Sequence, residues 1–64
     1  MVWVYDVSKT QLINFDKVVY LEVDGVFIFA YFDNSEGRCI YEGYERIDAI
    51  NELKYYAKLL GVIE

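Results

Sequence analysis

The sequence predicts a small α+β fold, an antiparallel β-meander of three to five strands with one carboxyl-terminal helix packed on one sheet face. Three observations carry that expectation. Two β-rich runs, Val18 to Val23 and Val26 to Phe32, flank Asp24-Gly25, a pair that supplies the positive φ angles a type I′ hairpin turn demands. Apolar residues at Ile47, Ile50, Leu53, Ala57 and Leu60 then recur at spacings of three and four, the stripe of an amphipathic helix. No proline, repeat or low-complexity tract divides the 64 residues, so one domain over 1–64 is expected.

Taken in order, Val2 to Tyr5 reads as a short strand and Gln11 to Phe15 as a second, separated by the polar stretch Asp6 to Thr10. In the hairpin, a two-residue Asp24-Gly25 loop sets Val23 opposite Val26, Leu21 opposite Ile28 and Val19 opposite Ala30 on one face. The other face carries Val18 with Tyr31, Tyr20 with Phe29 and Glu22 with Phe27. One face is therefore aliphatic and the other mostly aromatic. After the turn-rich loop Asp33 to Gly37, residues 38–44 form a third antiparallel strand. Its register stays open, because loops of four and five residues place Cys39, and with it Tyr41, on opposite faces. Gly43 marks either a bulge or the strand's end.

The helix is expected over 46–60. Glu45 and Asp48 sit at the positive end of its dipole, Lys54 and Lys58 near the negative end, and Gly61-Val62 reads as a glycine C-cap with its hydrophobic contact. Ala49 and Tyr56 flank the apolar stripe, Tyr56 joining the core. At about 1.5 Å per residue the helix is about 22 Å long, close to the roughly 23 Å of a seven-residue strand, so it fits along one sheet face.

One helix covers one face, and the aliphatic face of Val19, Leu21, Val23, Val26, Ile28 and Ala30 is the natural seat for the stripe. Tyr20, Phe27, Phe29 and Tyr31 are left as an exposed aromatic patch, unless Trp3 and Tyr5 fold across it or a second molecule does. A chain this short buries only about 60% of the surface it exposes unfolded and usually needs a staple, a metal or a partner. With one cysteine and no histidine, a disulfide and the usual zinc sets are out of reach, which favours self-association, a dimer first, through the aromatic face. Tyr55 and Leu59, on the outer side of the helix, form a second candidate contact.

Composition bounds the function further. Six basic side chains against eleven acidic ones give a net charge of −5, and the cations are scattered, so direct nucleic-acid binding through phosphates is not expected. An acidic surface can instead meet a basic patch on another protein. The longest apolar run, Val26 to Phe32, is too short to span a bilayer as a helix. An unpaired thiol and a start without signal-peptide character fit a cytoplasmic location, in a bacterial or host cell.

Catalysis has little to work with. Cys39, Ser8, Ser35 and Thr10 have no histidine to activate them, and Cys39 reads as a packed small hydrophobe. Asp6, Asp16, Asp24, Asp33 and Glu36 fall where turns favour acidic residues for local reasons. The Asp33 to Gly37 segment departs from a calcium loop, with glycine at position five and Tyr44 where the closing glutamate belongs. The four glycines are isolated, without a phosphate cradle. No enzyme, metal or cofactor is expected.

The stretch Leu12-Ile13-Asn14-Phe15-Asp16-Lys17-Val18, followed by Asp24-Gly25, Ala30-Tyr31-Phe32-Asp33 and the closing helix, resembles short uncharacterised proteins of bacterial genomes, prophages and mobile elements. Those open on a hydrophobic-Val-Asn-Leu-Asp segment, continue through a β-meander and end in one helix; here Phe15 replaces the common leucine. The resemblance implies the fold and carries no catalytic residue. By analogy of size and charge, many phage-encoded acidic proteins block a host enzyme or defence complex. The expected function is a non-catalytic interaction protein, phage or mobile-element encoded, that modulates or inhibits a host protein such as a defence or nucleic-acid-handling factor. The alternative is a small regulatory module holding an apolar small molecule on its aromatic face.

Overall fold

In the computed structural model, which describes residues 2–33 and 36–62, five strands and one α-helix follow in the order β1 (Trp3–Tyr5), β2 (Leu12–Asn14), a 3-10 turn (Phe15–Lys17), β3 (Val18–Asp24), β4 (Phe27–Phe32), β5 (Gly37–Glu42) and α1 (Arg46–Leu59). The fold is α+β, as expected. The strands form two sheets, however: a β1–β2 ribbon and a β3–β4–β5 meander, both antiparallel. Asn34 and Ser35, at the tip of the expected loop, lie outside the described residues.

The ribbon pairs Trp3 with Asn14, Val4 with Ile13 and Tyr5 with Leu12. Its strands alternate, so Val4 and Ile13 turn inward while Trp3, Tyr5 and Leu12 turn outward. The polar connection is tied by Asp6, whose carboxylate accepts the Thr10 and Gln11 amides at 3.0 and 3.1 Å and the Ser8 hydroxyl at 2.7 Å. Lys9 takes a positive φ of 64° inside that turn. Asn14 then starts the 3-10 turn by accepting the Asp16 amide at 2.9 Å, which drops Phe15 into the core. Ribbon and meander are joined by the Val7 N–H donating to the Cys39 carbonyl at 3.0 Å.

In the β3–β4 hairpin the two-residue loop is Gly25-Val26, closed by Asp24 opposite Phe27, in place of the expected type I′ turn on Asp24-Gly25: Asp24 has no positive φ and pairs as a strand residue. Glycine comes first in this loop, with φ +60°, as a type II′ turn requires, and Val26 keeps a negative φ that a β-branched residue tolerates. The pairs are Val23 with Ile28, Leu21 with Ala30, Glu22 with Phe29 and Tyr20 with Tyr31. These differ from the expected pairs by two positions, so every side chain on this stretch keeps its expected face, because strand periodicity is two. A bulge at Val19 ends that agreement. Val18, now opposite Phe32, packs on the core, and Val19, expected in the aliphatic seat, is 58% exposed.

A second bulge fixes β5. Glu42 pairs with Phe27 and Tyr41 with Ile28, then the register shifts so that Cys39 pairs with Phe29, Arg38 with Ala30 and Gly37 with Tyr31. Ile40, the extra residue, is buried, and Tyr41 also packs against the core. Gly43 marks the strand's end: a Cβ there would lie 2.8 Å from the Asp48 Cβ, where β5 runs into the helix.

α1 starts where the Asp48 carboxylate accepts the Glu45 amide at 2.9 Å and the Tyr44 amide at 3.2 Å. It ends on the expected glycine: Gly61 has φ +76°, its N–H donates to Lys58 O at 3.1 Å, and Val62 N–H reaches Ala57 O at 2.9 Å, a Schellman pair. An alanine at Gly61 meets no neighbour but must adopt the left-handed region. Gly61→Ala should therefore cost about 1 kcal/mol, read as an unfolding-midpoint shift in urea.

The helix lies on the aliphatic side of the meander, rotated from the expected stripe. Ala49 and Tyr56 are its buried residues, with Ile50, Leu53 and Ala57 half-buried beside them, whereas Ile47 is 52% exposed and Leu60 is also exposed. Ala49 has no side chain beyond Cβ and lets the helix approach a sheet surface made of Ile28 and Ala30. Ile13 and Phe15 from the ribbon complete the same core, Phe15 meeting Tyr56 edge-on with centroids 5.6 Å apart. Helix and ribbon thus share one face of the meander.

Candidate functional site

Because both covering elements sit on one side, the other side of the meander presents a grid of nine positions. Its rows are Asp24, Phe27, Glu42; then Glu22, Phe29, Cys39; then Tyr20, Tyr31, Gly37. The structure brings together all four aromatic residues expected there. Tyr20 is 53% and Phe27 37% exposed, while Phe29 and Tyr31 are half-buried by their neighbours. Trp3 and Tyr5 do not form its cover; they lie on the outer side of the ribbon, whose inner side faces the shared core.

The rings form a continuous column. Tyr20 and Tyr31 stack with centroids 4.7 Å apart and planes 15° from parallel; Phe29 follows Tyr31 at 6.4 Å and Phe27 follows Phe29 at 6.2 Å. Gly37 makes room for this stack, since a Cβ there would lie 2.9 Å from Tyr31 Cε1. The acid groups Asp24, Glu22 and Glu42 flank the column and are exposed, and none of the nine positions is basic. Burial, then the negative charges of Glu22 and Asp24, holds the Tyr31 phenol above its ordinary value. Sequence reasoning had Glu22 on this face; it missed Asp24 and Glu42, which needed the shifted loop and the β5 bulge.

Tyr55 and Leu59 are both exposed and face a groove of about 660 Å³ that α1 forms with the ribbon, where Trp3, Tyr5 and Tyr41 are the other large walls. They belong to the helix side of the molecule, apart from the aromatic grid. On the other flank of α1 an apolar groove of about 270 Å³ runs between Phe15, Val18, Leu21, Leu53, Ala57 and Leu60.

Chemistry elsewhere is sparse. Burial pushes the Cys39 thiol up, partly offset by the Tyr41 backbone, and Glu42 and Asp6 add to the rise, while the thiol donates to the Tyr41 carbonyl at 3.5 Å. A thiol so held is a poor nucleophile at neutral pH. Burial also raises the Tyr56 phenol strongly, helped by Glu52. Ser8 and Thr10 hydrogen-bond each other and Asp6 in the ribbon turn, without a base beside them, and Ser35 lies outside the described residues. Among the described residues no three His, Cys, Asp or Glu side chains are placed to hold a metal ion, and no helix is long and apolar enough to cross a membrane.

The Ser8 hydroxyl, chiefly, and the amides of Gln11, Thr10 and Lys9 hold Asp6 below its ordinary value of 3.8, against the opposing effect of burial. A carboxylate depressed in the folded state stabilises it above the unfolded value and loses that contribution as pH falls through the folded one. Thermal midpoints measured from pH 5 downwards should thus fall in the wild type below about pH 4, and fall less steeply in Asp6→Asn.

No family model matches this chain, no curated protein matches it, and no solved structure matches it. The functional reading therefore rests on the chemistry of the grid itself.

Proposed function

We propose that this chain is a non-catalytic interaction protein whose contact surface is the aromatic grid of the meander. The observation that carries the reading is the open column Tyr20, Tyr31, Phe29 and Phe27 on the side opposite both covering elements. Aromatic side chains offer large contact area at low entropy cost and dominate binding energetics at interfaces. Small size and a net charge of −5 support a phage or mobile-element protein that binds a host protein, a defence or nucleic-acid-handling factor with a basic surface. The experiment is capture from a bacterial lysate by the tagged wild type beside Phe29→Glu and Phe29→Ser, each shown by circular dichroism to be folded. Specific proteins retained by wild type and lost from both variants support the reading; capture indifferent to Phe29 overturns it.

Self-association is the competing use of the same face, and light scattering across a dilution series reads it directly. A second reading comes from the apolar groove on the flank of α1, whose about 270 Å³ approaches the lower end of ligand pockets, about 300 Å³. A small apolar ligand there would raise the unfolding temperature in a ligand screen, since binding to the native state stabilises it.

A further inference from the structure

The grid combines aromatic rings with flanking carboxylates, and it has a size. From Phe27 to Tyr31 it extends about 14 Å along the strands and from β3 to β5 about 10 Å across them. With side-chain margins that is on the order of 300 Å², well under the about 800 Å² per partner that a standard protein pair buries. A second copy pressed face to face would also bring Glu22, Asp24 and Glu42 against the same three carboxylates, with no cation among the nine positions to relieve them. Area and charge both weigh against a second copy and towards a narrow, positively charged occupant.

The rings repeat at 6.2 and 6.4 Å along β4, near the about 6.8 Å between alternate side chains of an extended chain. Phe27 stands between Asp24 and Glu42, and Phe29 has Glu22 beside it. We propose that the grid binds an extended segment of a partner protein carrying arginines two residues apart, one stacked on Phe27 between Asp24 and Glu42, the other on Phe29 beside Glu22. A guanidinium is planar, stacks on aromatic faces and presents its donors in a fork that a carboxylate accepts, whereas an ammonium is a more strongly hydrated point charge. The third row, Tyr20 on Tyr31, offers a flat surface to the next alternate side chain. This inference rests on the grid being the contact surface, and it names what the grid contacts.

The test titrates the full ¹⁵N-labelled chain with three short blocked peptides, Gly-Ser-Arg-Ser-Arg-Ser-Gly, its lysine counterpart, and Gly-Ser-Ser-Arg-Arg-Ser-Gly. The alternating arginine peptide should shift the amides of Phe27, Phe29 and Tyr31, with the lysine peptide about threefold weaker. The adjacent-arginine peptide should be weaker too, because an extended chain sends neighbouring side chains to opposite sides. A Glu22→Gln, Glu42→Gln double variant, whose substituted residues are both exposed, should lose about tenfold in affinity, and raising the salt from 50 to 500 mM should lose about as much.

Absence of shifts at millimolar peptide, shifts confined to the grooves beside α1, or binding indifferent to spacing or to the double variant overturns the inference. So does a stable dimer that keeps the peptide off the grid. If lysate capture still depends on Phe29 while the peptide fails, the interaction surface stands and only its arginine partner is lost; if capture ignores Phe29, the surface itself falls.

Discussion

Ile28→Ala should lose about 3 kcal/mol of folding stability. Ile28 is fully buried on β4, the central strand of the meander, in one core cluster with Ala49, Tyr56, Ile13, Phe15 and Ile40. Truncation removes transfer free energy and leaves a cavity that neighbours on three elements cannot close. A chain of this size has a total stability of about 3–10 kcal/mol, so the loss is a large fraction of the whole. Urea denaturation followed by tryptophan fluorescence measures it, and the melting temperature should fall by roughly 15 °C. A loss under about 1 kcal/mol would mean that the core does not close on Ile28 as described.

Phe29, the next residue along the same strand, should behave oppositely. It faces the grid, so Phe29→Ser should leave a folded protein while weakening partner capture at least about thirtyfold, the effect of removing a central aromatic anchor. Phe29→Glu adds a carboxylate directly opposite Glu22 and should cost somewhat more stability than serine for the same loss of capture. The contrast between neighbours is the discriminating result, because Ile28 and Phe29 are adjacent large apolar residues on opposite faces of one strand. If both substitutions unfold the chain, something covers the grid in the native protein.

The site's aromatic residues and Glu22 were legible in the sequence; Asp24 and Glu42 were not. Tyr20, Phe27, Phe29 and Tyr31 share a face under any register in which β3 and β4 slip by two, so alternation alone assembles them. Asp24 joined them only because the hairpin closes on Gly25-Val26, where Gly25 carries the single positive φ and Asp24 becomes a paired strand residue. Glu42 and Cys39 landed there through the bulge at Ile40, which follows from what Ile40 and Tyr41 must bury on the far side.

What the sequence by itself determined was local: the strand and helix segments within a residue or two, the Gly61 cap, and the two-faced hairpin. Each follows from periodicity or from one residue's backbone preference, and neither needs a distant partner. Tertiary structure decided the rest. It seated the β1–β2 ribbon beside the helix and left the aromatic face open, because Ile13 and Phe15 find their apolar neighbours around Tyr56 and Ile28. It rotated α1 onto Ala49, since close approach to the sheet favours the smallest side chain over the exposed Ile47. It bulged β3 at Val19 and β5 at Ile40, because packing across the core fixes which side chain must point inward, and a bulge is the cheapest way for a strand to turn one residue over.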